Sequence, residues 1–175
     1  MKDILWRPSK GFRSYKEPRR GLAQESLQVD PSRTPWVSAL TVALSEIAVL
    51  AVREVAVRML HPDPAYGPLT LGPPIIDTIL ATFIAIRVFL AVASSYPNPV
   101  RTWRIVATIV LVVSLVPDMA LAMFARNLRG GWPEATALMM MHVVVWAICI
   151  TVLPALALTR KPQDSSGASG PLSIL

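Results

Sequence analysis

The sequence predicts an all-α protein: a four-helix transmembrane bundle built from two antiparallel hairpins, with a basic cytoplasmic N-terminal tail. Three observations predict it. Apolar residues fill 53% of the 175 positions, with a mean hydropathy of +0.50, which is too apolar for an ordinary soluble domain. They gather in four blocks, 36–60, 71–95, 103–125 and 133–158, each about the length that a helix rising 1.5 Å per residue needs to cross roughly 30 Å of hydrocarbon. The connections between blocks are rich in Pro and Gly, which end helices. The expected organisation is a basic tail over 1–35, a membrane domain over 36–160 and a flexible Ser/Gly/Pro-rich tail over 161–175.

The N-terminal tail carries eight of the seventeen Lys and Arg residues: Lys2, Arg7, Lys10, Arg13, Lys16, Arg19, Arg20 and Arg33. No apolar signal-peptide core precedes residue 34, so the first helix is expected to serve as its own insertion signal. Trp6, Phe12 and Tyr15 lie among these cations, a mixture that suits anionic lipid headgroups at about 1 kcal/mol per basic residue near the surface. A plain topology signal is the simpler role. Nucleic acid is not an expected partner, because Pro8, Pro18, Pro31 and Pro35 interrupt the segment and it contains no recognition motif.

Pro35 and Trp36 open the first helix, with proline in its first turn and Trp at interfacial depth. Near its far end Glu54 and Arg58 are spaced i,i+4 and can pair. His61, Pro62, Asp63, Pro64 and Gly67 then predict a stiff loop, extended by Pro68, Pro73 and Pro74. Its one His and one Asp are too few for a metal site. The second helix should stop at Tyr96, Pro97, Asn98 and Pro99, a turn that its prolines keep non-helical. The third contains Pro117 directly before Asp118, where a kink is expected. Gly130, Gly131, Trp132, Pro133 and Glu134 mark the start of the fourth, with an acid at its positive end.

Orientation follows from the basic residues. Arg101 and Arg104 flank the second connection and Arg160 and Lys161 follow the fourth helix, whereas residues 61–70 contain no Lys or Arg and the third connection has Arg126 and Arg129. The positive-inside rule then puts both termini in the cytoplasm.

Charges inside the spans carry the chemical information, since a lone charge at the bilayer centre costs at least about 2.5 kcal/mol. They are Glu46, Arg53, Asp77, Arg87 and Asp118, with His142 as a further titratable group. In an antiparallel hairpin, residues equally far from the loop centre lie at equal depth. On that basis Glu46 faces Arg87, Arg53 faces Asp77 and Asp118 faces His142, each within about one helical turn. The first two pairs read as structural contacts between helices one and two. Asp118 with His142 is the preferred functional locus, because an acid beside an imidazole forms a neutral or a charged pair according to pH and hydration. All three pairs can serve simply as interhelical glue; alternatively Glu46, Asp118 and His142 line a proton- or ion-responsive cavity.

No catalytic residue, metal site or cofactor is expected. His142 is the single histidine in the spans, one short of two-histidine haem ligation. Clustered protease ligands are missing, and Ser45 or Ser114 lacks the Gly-flanked setting of a nucleophile. Met139, Met140 and Met141 point in different directions on one helix, which suits packing better than copper binding. Cys149 cannot form an internal disulfide and reads as a small core residue.

The stretch Ser114-Leu115-Val116-Pro117, then Ala137-Leu138-Met139-Met140-Met141-His142, then Val152-Leu153-Pro154-Ala155-Leu156 resembles the uncharacterised bacterial four-helix membrane family catalogued as domain of unknown function 6069. The likeness covers about 36–160 and is specific in helices three and four. Asp118 departs from the pattern, which expects proline or an apolar residue there, and the basic tail is longer than the family's. The resemblance implies a bacterial inner-membrane protein and no particular activity. The expected function is a non-enzymatic accessory, assembly or scaffolding protein, with the bilayer and a homo-oligomer or larger complex as partners. The alternative is a small oligomeric transporter or proton-responsive channel using Asp118, His142 and Glu46.

Overall fold

The computed structural model of the protein describes residues 27–63, 66–124 and 131–160. The tail aromatics Trp6, Phe12 and Tyr15, the third-connection cations Arg126 and Arg129, and the segment from Lys161 onward lie outside the described residues.

Four helices dominate: α1 (Thr34–Leu60), α2 (Gly72–Ser95), α3 (Pro99–Phe124) and α4 (Trp132–Ala157). Each is long and apolar enough to cross a membrane, which makes the chain a multi-pass membrane protein of four-helix-bundle architecture. Their ends agree with the apolar blocks to within a few residues, except that α3 starts at Pro99 rather than Trp103. A proline at the first helical position gives up no hydrogen bond and its φ is already helical. The Thr102 amide donates to the Asn98 carbonyl at 3.1 Å as the first bond of α3. Both Pro117 and Pro154 stand inside helices that continue past them.

The helices form an up-down-up-down ring. The most extensive packing is α1 on α4, followed by α3 on α4 and α1 on α2. The seam between α2 and α3 is the thinnest of the four sides. On α1 the buried stripe runs Val37, Thr41, Ser45, Val49 and Ala56; on α2 it runs Pro74, Thr78, Thr82, Ile86, Phe89 and Val92. These steps of three, four or seven residues keep one face inward. Outward residues such as Ile47, Ile76, Phe83 and Val113 are exposed, as expected where lipid is the solvent. The inner core centres on Trp103, which meets Phe89 edge-on at 5.4 Å and 73° and donates its indole N–H to the Cys149 carbonyl at 3.2 Å.

Two short strands have no counterpart in the sequence reading. β1 (Leu27–Val29) pairs antiparallel with β2 (Leu158–Arg160), matching Leu27 to Arg160, Gln28 to Thr159 and Val29 to Leu158. The Asp30 amide then donates to the Ala157 carbonyl at 3.0 Å. The Asp30 carboxylate accepts from the Ser32 hydroxyl at 2.6 Å and the Ser32 amide at 2.9 Å, and meets the Arg33 guanidinium at 3.2 Å. These contacts, the Ser32 bonds foremost, hold its carboxyl below the usual range. Residues 27–33, read from sequence as part of a tail, therefore belong to the folded unit. The ribbon fixes the start of α1 and the end of α4 at the same end of the bundle.

Candidate functional site

One of the three depth-matched pairs closes. Asp118 on α3 and His142 on α4 meet with Oδ2 and Nε2 3.2 Å apart. Asp118 is 6% exposed, while 40% of the His142 side chain is open. The distance is ionic, but the alignment is not that of a hydrogen bond, and Oδ2 accepts none. The buried carboxylate is thus anchored at one point and left with spare accepting capacity.

The other two pairs do not form, and the reason is azimuth. Arg87 is exposed on α2, about 160° around the helix from the centre of the Pro74–Val92 stripe at 100° per residue. It points to lipid, so it cannot meet Glu46 despite equal depth. Both Glu46 carboxylate oxygens are buried without a hydrogen-bond partner. Arg53 turns to the α1–α2 connection instead of Asp77: its Nε donates to the Leu69 carbonyl at 2.9 Å, and its Nη1 lies 3.9 Å from Glu54. Leu69 is the last residue of a 3-10 turn over Gly67–Leu69, whose final carbonyls lie beyond the turn's own hydrogen bonding. The predicted Glu54–Arg58 pair does form, at 2.8 Å.

Asp118 and His142 border a cavity of about 750 Å³ between α2 and α3, backed by α4. Its wall is mostly apolar and includes Asp77, Trp103, Ser114 and Trp146. The Trp146 indole N–H is buried with no acceptor. Ser114 donates its hydroxyl to the Leu111 carbonyl at 2.8 Å, so it is not held by His142 as a nucleophile would be. Asp77, assigned from sequence to an ion pair, is instead an exposed acid on the cavity wall. Among the described residues no three His, Cys, Asp or Glu side chains gather to hold a metal ion.

Tyr66 is the residue that the sequence reading missed. It comes from the α1–α2 connection, is 3% exposed, and packs with Val49, Leu69 and Met141. Burial pushes its phenol above the ordinary value of 10.0, with the negative charges of Glu134 and Asp118 adding to the effect. An aromatic residue inside a proline-rich loop was the available signal. Glu134 accepts the Gly131 amide at 2.8 Å, as the helix-start motif predicts. No protein-family model, curated protein or solved structure matches this chain.

Proposed function

We propose that this protein is a small proton-responsive transporter of the bacterial inner membrane, acting as an oligomer, with Asp118 and His142 as its titrating centre. The observation that carries this reading is the cavity of about 750 Å³ that reaches a buried acid–imidazole pair. A purely structural pair would be fully enclosed and satisfied; this one is open at His142 and lacks a hydrogen bond at Asp118 Oδ2. Proton uptake converts a carboxylate beside neutral imidazole into either an ion pair or a neutral acid, and that change alters the charge at mid-membrane. A switch of this kind supplies a driving force for alternating states of the α2–α3 seam.

Both termini are cytoplasmic in this reading. Its support is the nearness of β1 to the turn that bears Arg101 and Arg104, so the basic residues and the terminal ribbon gather at one end. The test is proton flux into proteoliposomes containing the purified protein and a pH-sensitive dye. Wild-type protein should dissipate an imposed pH gradient, and Asp118→Asn or His142→Ala should reduce the rate about tenfold or more. Unchanged flux in both variants, each confirmed as monodisperse, rules the reading out.

A further inference from the structure

We infer that the α2–α3 cleft binds a lipophilic organic cation that enters from the bilayer and competes with a proton for Asp118; this rests on the transporter reading above. The first support is access. The cleft lies at the thinnest seam of the ring, with α4 as its back wall, and its lining includes Ile84 on α2 and Val110 on α3, both exposed on the apolar outer surface. A molecule dissolved in the hydrocarbon meets the opening without crossing water. The volume, about 750 Å³, falls in the range that holds a drug-sized ligand.

The second support is charge. Asp77 and Asp118 line the cleft, and among the described residues His142 is the one basic side chain on its wall and no Lys or Arg borders it. Among the described residues the ionisable side chains that share the cleft with Asp118 are His142 and Cys149 on α4 and Asp77 on α2, and the charges of Asp118 and Glu134 both act on Tyr66 of the α1–α2 connection. Acids outnumber bases in this set. With His142 neutral the cleft is an anionic pocket in a low-dielectric medium, where charge complementarity is strong and an anion is repelled.

The third support is the unsatisfied surface. Asp118 keeps 8% of its side chain exposed, while its buried Oδ2 accepts no hydrogen bond and lies 3.2 Å from His142 Nε2. The half-buried indole of Trp146 also lines the cleft, and an indole face is the best aromatic partner for a cation. An apolar body, a positive centre and an aromatic wall together describe a hydrophobic ammonium or phosphonium ion rather than a fatty acid or a neutral lipid. Protonation of Asp118 removes the attraction, so proton and cation exclude each other.

The test uses the full-length protein in nanodiscs of zwitterionic lipid, with tetraphenylphosphonium and tetraphenylborate as probes of the same shape and opposite charge. Equilibrium dialysis against empty nanodiscs should show saturable binding of the cation only. Affinity should fall about tenfold or more in Asp118→Asn and on acidification. Asp118→Glu, which keeps the charge, should recover most of the binding and so separates charge from misfolding. Equal binding of both ions, or cation binding indifferent to Asp118→Asn, overturns the inference. If proton flux depends on Asp118 while the cation does not bind, the ligand class fails and the transporter stands. If the cation binds as described and no flux occurs, the site stands and transport fails.

Discussion

His142 Nε2 stands 3.2 Å from Asp118 Oδ2 across the α3–α4 interface. Both residues lie on the inward stripes of their helices: Asp118 continues the line of Trp103 and Ala107, and His142 that of Leu138, Val145 and Cys149. Depth and direction agree here, whereas for Glu46 and Arg87 only depth does.

The contact should be measurable as a coupling. A double-mutant cycle of Asp118→Asn and His142→Gln, read by thermal unfolding in detergent, should give about 0.5–1.5 kcal/mol, the range of interhelical polar contacts in membranes. The open side of His142 sets the low end. Additive effects would mean that the contact contributes nothing to stability.

Glu46 costs the fold stability, because its two carboxylate oxygens are buried without hydrogen-bond partners. Glu46→Met should raise the unfolding free energy by about 1–3 kcal/mol. The exchange Glu46→Arg with Arg87→Glu should not restore what either single change loses, since Arg87 faces lipid. Rescue in the exchanged protein would contradict the geometry.

Trp103 joins α3 to α4 through its bond to the Cys149 carbonyl and to α2 through Phe89. Trp103→Phe should cost about 1 kcal/mol for the lost hydrogen bond. Trp103→Ala should cost about 3–5 kcal/mol, because it also leaves a cavity in the core. Denaturant titration of both variants in one detergent separates the two terms.

Tyr66 gives an alkaline limit. Its phenol is raised above 10.0 by burial and by the acids nearby, so above about pH 10 the unfolded chain loses this proton before the folded one does. Its contribution is fully present below that pH and is lost as pH rises further. Tyr66→Phe should flatten the alkaline decline in melting temperature. Ultraviolet difference absorbance should show the phenolate appearing late in the folded wild type.

The terminal ribbon makes a simple topological prediction. Gln28 and Thr159 are paired residues of β1 and β2, so Gln28→Cys with Thr159→Cys should cross-link under mild oxidation in intact membranes. Cys149 is buried and should not compete. Failure to cross-link, with both thiols accessible to maleimide, would remove the ribbon.

The four spans were legible in the sequence because burying a helix in hydrocarbon needs only length and apolarity, both of which are local. Gly131 and Glu134 announced the start of α4, and Glu54 with Arg58 announced a helical pair, because each interaction spans three or four residues. The candidate site was half legible. Asp118 and His142 stood out as titratable groups at matched depth, while Tyr66 did not, since its burial depends on how the α1–α2 connection folds over Val49 and Met141.

By itself, then, the sequence determined the number of helices, their lengths and the depth of every charge, all of which follow from rise per residue along one chain. The tertiary structure alone decided the rotation of each helix about its axis. That rotation sent Arg87 to lipid, left Glu46 unpaired and opened the α2–α3 seam. Packing across the whole ring fixes it, and no single helix contains the information. The β1–β2 ribbon has the same cause: two segments about 130 residues apart become neighbours only after four helices have returned the chain to its starting end.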